Sequence, residues 1–304
     1  MIFFAALFII FFAASAGPGE EWIYYLQKAD KQFAAERWDF ARENYERALD
    51  RRPDLTAAMN RLARICIIKN DRRRALEYYA RSIAVNPSQA DVQNDAAELN
   101  EFFGYYDAAL AGYLAAVQAD GMHLRARINL VRYYTDRRDY AKADEHFEAC
   151  ARLGKAEGDR LVSQGAEEEK KGDRARAREL YREAVKKSPA HLDAYFRLVE
   201  LYRKEGDADA AIATVEQVKK IRPDYEKAYV YAGHLYFAQR FSQRRKYMLE
   251  QTVLNLEKAL DLNPGNRETC YLLSDVYRFM GDDVKAAKLL EKAEKQPPTE
   301  KPEK

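Results

Sequence analysis

The sequence predicts an all-α solenoid of short helical hairpins, and three observations carry that prediction. The first is an amphipathic pattern of helical period. Within 37–54, RWDFARENYERALDRRPD, the residues Trp38, Ala41, Tyr45 and Ala48 fall at steps of three and four along one helical face. Arg42, Glu43, Glu46 and Arg47 take the wet side, and Pro53 ends the element because proline has no backbone donor and restricts the residue before it. The second observation is a fixed period. Steps of 34 from Pro53 reach Pro87, Gly121, Lys155, Pro189 and Pro223; a step of 41 reaches Pro264, and one of 34 reaches Pro298. The third is that side-chain size follows the same ruler. Ala41, Ala75, Ala109, Ala143, Ala177, Ala211, Thr252 and Ala286 are each followed four residues later by Tyr45, Tyr79, Tyr113, Phe147, Tyr181, Val215, Leu256 and Leu290. Three further on stand Ala48, Ser82, Ala116, Cys150, Ala184, Val218, Ala259 and Ala293. Such a period means a stack of like units, none of which can bury its apolar face alone.

Small, large, small and proline, in that order and at period 34, resemble the tetratricopeptide repeat family over eight units from Trp22 to about Pro298. The resemblance implies two antiparallel helices per unit, stacked into a right-handed superhelix. The units are 22–55, 56–89, 90–123, 124–157, 158–191, 192–225, 226–266 with a seven-residue insertion, and 267–298. Alanine at the helix crossing lets backbones approach, and the large residue fills the space beside it. Gly172–Asp173, Gly206–Asp207 and Gly281–Asp282 mark turns, where glycine accepts the left-handed C-cap and aspartate caps the next helix.

Ahead of the units, 2–14 is an unbroken apolar run with five phenylalanines, short of the roughly 20 residues that span a bilayer. Ala14 and Ala16 match a signal-peptidase site, although no Lys or Arg precedes the run. Residues 1–16 are therefore read as a signal peptide or short membrane anchor, followed by a linker over 17–21; either reading exports the repeats. The expected location is periplasmic or otherwise extracytoplasmic.

The units are unequal. The first carries Trp38 at its turn, and the second carries Arg72, Arg73 and Arg74 beside Asp71, a solvated corner. The third and fourth are rich in aromatics, among them Phe102, Tyr105, Tyr106, Tyr133, Tyr134 and Tyr140. The fifth is thin: its first helix, from about Asp159, offers Leu161, Val162 and Ala166, with Gly158 and Gly165 each costing up to about 1 kcal/mol against alanine. In the seventh, the ruler places the turn at 240–242 and the seven extra residues in the second helix, about 10 Å of added length with Ser242 as N-cap. Arg244, Arg245 and Lys246 then stand on the added turns, opposing the helix dipole, and mark a docking helix for an acidic partner. After Pro298 the polar tail 299–304 is expected to be disordered.

Charged residues make up 33% and apolar ones 47%, as in a body of amphipathic helices. With 51 Lys and Arg against 49 Asp and Glu, the balance of +2 points to neither nucleic acid nor acidic lipid. Cys66, Cys150 and Cys270 lie in three different units at apolar register positions, so buried thiols are expected rather than disulfides. No phosphate-binding loop, metal-ligand motif or nucleophile elbow occurs, and the four histidines fall in separate units. Neither enzyme activity, cofactor nor metal is expected.

The resemblance also implies that the first helices line a concave groove that takes extended peptides or helices. Carried over by register, its residues are Asn60, Arg64, Ile67, Asn94, Glu98, Phe102, Ile128, Arg132, Phe196, Glu200, Arg203, His234, Phe237, Tyr271 and Arg278. The family's clamp for a C-terminal carboxylate is not matched: its places hold Asn94, Glu98, Asn129, Asp159 and Ser163, or Leu26, Asp30, Arg61, Asp91 and Asp95. The expected function is a non-enzymatic exported scaffold that binds partner proteins, in a bacterial cell-envelope assembly or transport complex. The alternative is a carrier or transporter accessory holding a small apolar ligand against the aromatics of units three and four.

Overall fold

The computed structural model describes residues 20–295, and within them every regular element is a helix. There are sixteen: α1 (Glu21–Ala34), α2 (Trp38–Arg51), α3 (Thr56–Ile68), α4 (Arg72–Val85), α5 (Ala90–Phe102), α6 (Tyr106–Ala119), α7 (Leu124–Asp136) and α8 (Tyr140–Arg152). There follow α9 (Lys155–Lys171), α10 (Arg174–Lys187), α11 (Leu192–Glu205), α12 (Ala208–Ile221), α13 (Glu226–Ala238), α14 (Arg245–Leu262), α15 (Arg267–Met280) and α16 (Asp283–Glu294). The fold is an all-α helical-repeat solenoid. The apolar run and the polar tail lie outside the described residues. No helix among those described is long and apolar enough to cross a membrane.

The chain divides into two compact units, the first ending at Ala126 and the second beginning at Arg127. Within the first, α1 packs on α2, α3 on α4 and α5 on α6, with lesser contacts of α2 on α3 and α4 on α5. The second repeats the scheme with α9 on α10, α11 on α12, α13 on α14 and α15 on α16.

The small–large–small marks form the core. Ala41, Ala75, Ala109, Ala143, Ala177 and Ala211 are 0% exposed, as is Thr252. Tyr45, Tyr113 and Tyr181 are equally buried, and so is every small residue three positions on, from Ala48 to Ala293. Burial leaves each tyrosine hydroxyl needing a partner. The Tyr45 hydroxyl donates to Asp30 (2.6 Å), that of Tyr79 to Asp95 (3.3 Å), that of Tyr113 to Glu101 (2.6 Å) and that of Tyr181 to Glu169 (3.1 Å). Cys66, Cys150 and Cys270 are free and buried.

The turns follow the Gly–Asp logic and extend it. Gly172, Gly206 and Gly281 have φ of 89°, 78° and 86°, and Asp173, Asp207 and Asp282 each accept from a backbone N–H three residues on. The same left-handed position recurs at Glu36, Asn70 and Arg138, with φ of 57°, 61° and 60°, and Asp71 and Asp139 also cap. Since a side chain opposes that conformation, the period alone reveals these three turns.

Two expectations change. The first helix of the fifth unit starts at Lys155 rather than about Asp159. Lys155 stands where six of the other seven units have proline, so nothing blocks the helix, and Gly154 (φ 67°) makes the reversal. The helix's glycines are contact points: a Cβ on Gly158 would stand 2.7 Å from His191, and one on Gly165 2.5 Å from the Tyr181 ring. In the seventh unit the turn is 239–244, and α14 begins at Arg245 with no side-chain cap from Ser242. The inter-helix turn thus grows from three residues, as at 35–37, to six, while the helix grows from 14 to 18 residues, so three and four of the seven extra residues go to each. That is about one added turn rather than two. It does not stand clear of the body, because Met248 and Leu249 are buried and Arg245 stacks 5.1 Å from the Phe279 ring centre.

Candidate functional site: clefts along the first helices

In the compact unit that ends at Ala126, α3 and α5 each present one face to solvent, and the space between their side chains forms two overlapping clefts of about 750 and 480 Å³. Both are lined by Arg64, Tyr79, Asp91 and Asp95; the larger adds Ile67, Ile68, Glu98, Phe102 and Arg125, and the smaller adds Asn60, Gln89 and His123. The sequence-derived residues Asn60, Arg64, Ile67, Glu98 and Phe102 therefore come together here. Asn94 does not: it is 0% exposed, and its amide donates to Glu98 at 3.0 Å, so it positions that carboxylate from beneath.

The charges of this site are mostly tied to one another. Arg125 reaches Asp95 at 3.0 Å and Glu98 at 2.9 Å. His123 accepts the Ala126 N–H on Nδ1, which leaves the Nε2 proton to donate to Asp91 at 3.0 Å. Asn60 donates to Gln89 at 2.8 Å. Burial, then the Asp95 carboxylate, pushes the Tyr79 hydroxyl above its ordinary pKa, so it remains a proton donor. Arg64 is exposed and makes no ion pair among the described residues. Around it the apolar surface is unusually available: Ile67, Ile68 and Phe102 are 40%, 51% and 62% exposed, and Arg72 stacks on Phe102 at 4.5 Å. An exposed cation beside aliphatic and aromatic surface can hold a peptide carboxylate or acidic side chain while covering its apolar neighbours.

In the compact unit that begins at Arg127, a cleft of about 810 Å³ lies between α11, α13 and the start of α15. Glu200, Arg203 and His234, all expected at the groove, line it with Glu226, Lys227, Val230, Tyr231 and Glu268. Arg203 is held by Glu200 at 2.7 Å. Burial lowers the His234 pKa, with Arg203 adding to the effect and Glu268 opposing it. Phe196 packs behind this wall, 4.9 Å from the Tyr231 ring centre. Phe237 turns instead toward Phe279, Tyr271 bonds Arg267, and Arg278 pairs with Asp275 at 3.6 Å, so these three lie outside the lining. Ile128 and Arg132, both half-buried on α7, belong to none of these clefts.

Four of the residues missed by register reasoning share one signal. Asp91, Arg125, Lys227 and Glu268 all occupy the second position of a first helix, on the ruler of 34 and 41. Val230 likewise occupies the position that Asn60 and Phe196 occupy in their units. Among the described residues no group of three or more His, Cys, Asp or Glu could hold a metal ion.

Tetratricopeptide repeat models match 26–71, 56–89 and 170–233. Among solved structures, a tetratricopeptide repeat protein from Parabacteroides merdae is 18% identical, covering 84% of this chain and 99% of its own, with a TM-score of 0.44. The C-terminal part of a repeat protein from Cytophaga hutchinsonii is 15% identical over 82% of this chain and 99% of its own, with a TM-score of 0.40. MamA is 16% identical over 82% and 96%, with a TM-score of 0.36. No curated protein matches the chain. From the matched repeat models and a core in which the small–large–small marks are buried in register, the chain belongs to the tetratricopeptide repeat family.

Proposed function

We propose that the protein is an exported, non-enzymatic scaffold that holds extended segments of partner proteins against the exposed faces of its first helices. Repeats of this family generally mediate protein–protein interaction and generally lack catalysis. The observation that carries the reading is the cleft between α3 and α5, where Arg64, without an ion pair, stands among exposed Ile67, Ile68 and Phe102. Mixed charge with accessible apolar surface suits a peptide. The aromatics of units three and four also favour this over an apolar-ligand carrier: Tyr105, Tyr106 and Tyr140 are exposed, whereas Tyr133 and Tyr134 are spent on packing.

Export rests on the apolar run 2–14 and on Ala14 and Ala16, and a bacterial cell-envelope complex is the setting we propose. An alkaline phosphatase reporter fused after Lys304 should be active; a well-expressed but inactive fusion contradicts export. The mass of the purified protein distinguishes removal of 1–16 from their retention. For the cleft, tagged protein and its Arg64→Glu/Phe102→Ala variant are compared in affinity capture from the native cell. Capture of a defined partner should fall at least tenfold in the variant, with its circular dichroism and melting unchanged. Equal capture by both contradicts the assignment.

A further inference from the structure

The seventh unit's insertion gathers a composition found at no other turn of the chain: Arg240, Phe241, Ser242, Gln243, Arg244, Arg245, Lys246 and Tyr247 in succession. Four cations flank an aromatic that is 72% exposed. The Arg240 guanidinium lies over the rings of Phe237 (4.4 Å) and Phe241 (4.6 Å), and Phe241 meets Phe279 edge-on at 5.6 Å. Arg245 stacks on Phe279 from the other side of the turn. These contacts hold the loop while most of the Phe241 ring remains exposed. Tyr247 is half exposed, and Met280 and Val284, which follow Phe279 in the chain, are 46% and 68% exposed.

The cations are poorly compensated within the molecule. Lys246 is 92% exposed and has only a 3.9 Å contact with Glu250. Arg244 makes no ion pair among the described residues. The neighbouring acid Asp282 is occupied, capping the Lys285 N–H and lying 3.4 Å from its ammonium; Asp283 opens α16 beside it. The overall balance of +2 conceals this local excess.

We propose that 239–247 is a peripheral docking site for a bilayer containing anionic phospholipid. Phe241 enters the interfacial layer, and Arg244 and Lys246 meet the headgroup phosphates. A projecting aromatic suits the interface, where an apolar ring meets polar headgroups, and basic residues beside it draw the loop to a negative surface. An acidic protein face is the competing occupant of the same cations and ring, and the crosslinking below separates the two. Each cation near the surface strengthens binding about fivefold, so Arg244→Ala/Lys246→Ala should weaken it about 25-fold.

The test places a photoreactive benzoylphenylalanine at Phe241 or, as a control, at exposed Tyr140 in the full chain. Irradiation follows mixing with vesicles of phosphatidylcholine alone or with 30% phosphatidylglycerol. Lipid adducts should form at position 241, at least tenfold more with the anionic vesicles and more than at position 140, and Arg244→Ala/Lys246→Ala should abolish the excess. Whatever 2–14 contributes to vesicle binding is common to both positions. Equal yields at 241 and 140, or no dependence on phosphatidylglycerol, overturn the proposal. Adducts at 241 to an acidic protein from a membrane extract, with none to lipid, overturn it in favour of a protein partner.

Discussion

Gly165→Ala should destabilise the protein, although helix propensity alone predicts the reverse. Alanine in place of a mid-helix glycine ordinarily gains about 1 kcal/mol. Here the new Cβ would stand 2.5 Å from Cε1, 2.8 Å from Cδ1 and 3.1 Å from Cζ of Tyr181. That ring is wholly buried and tethered through its hydroxyl to Glu169, so it has little room to yield. Burial, and then Glu169, push the Tyr181 pKa up to about 12, so the hydroxyl keeps its proton and this bond through the neutral range. Overpacking costs roughly 1–3 kcal/mol, and two contacts below 3.0 Å place this case toward the upper end. The net effect is a loss of about 1–2 kcal/mol, read from urea midpoints at constant slope. In a Tyr181→Leu background, which removes the ring, the same substitution should become neutral or stabilising. A Gly165→Ala protein more stable than the parent refutes the close-packing account and restores the glycine as a mere weakness.

Arg138→Gly should raise stability by about 1 kcal/mol, because Arg138 holds a left-handed φ of 60° that glycine adopts freely; an unchanged or lowered melting temperature contradicts this. His146 is buried in parallel stacking on Tyr134, and its pKa is lowered by burial and then by Arg127. A lowered folded pKa means that its stabilising effect is full above the unfolded value near 6.5 and is lost as pH falls through the folded value. Urea titrations should therefore show a decline below about pH 6.5 that is shallower in His146→Phe, and parallel profiles would contradict this. Amide exchange should be faster across Lys155–Lys171, which buries two apolar side chains at 2–7% exposure, than across Leu192–Glu205, which buries six residues; equal protection would contradict the thin core of the fifth unit.

The repeats were legible because one packing rule is applied again and again. A residue such as Ala109 or Tyr113 is constrained by the helix crossing of its own unit, so its type recurs in register whatever its neighbours do. The Gly–Asp turns were legible for the same reason, whereas Glu36 and Arg138 hide a left-handed turn behind ordinary side chains that tolerate it at a cost. The seventh turn could not be placed by the ruler, since an insertion has no register, and the Phe241–Phe279 contact that holds it joins residues far apart in sequence. Gly158 and Gly165 read as weaknesses because sequence shows a missing side chain but not the ring that fills its place. At the clefts, register found Arg64 and Phe102 but not that Asn94 lies covered beneath Glu98, which takes the packed neighbouring helices to see. Asp91, Arg125, Lys227 and Glu268 escaped because charged residues at a helix start look like ordinary solvated ends until the facing helix is in place.

The most direct measurement is position-resolved photo-crosslinking of the full chain in its native cell. The photoreactive residue is placed at Ile67 or Phe102, on the cleft wall, and at Val85 or Leu114, exposed on second helices outside it. The scaffold account predicts one protein adduct from both cleft positions, lost on Arg64→Glu, and none from Val85 or Leu114. Adducts of equal yield at all four positions, or adducts indifferent to Arg64→Glu, would contradict it.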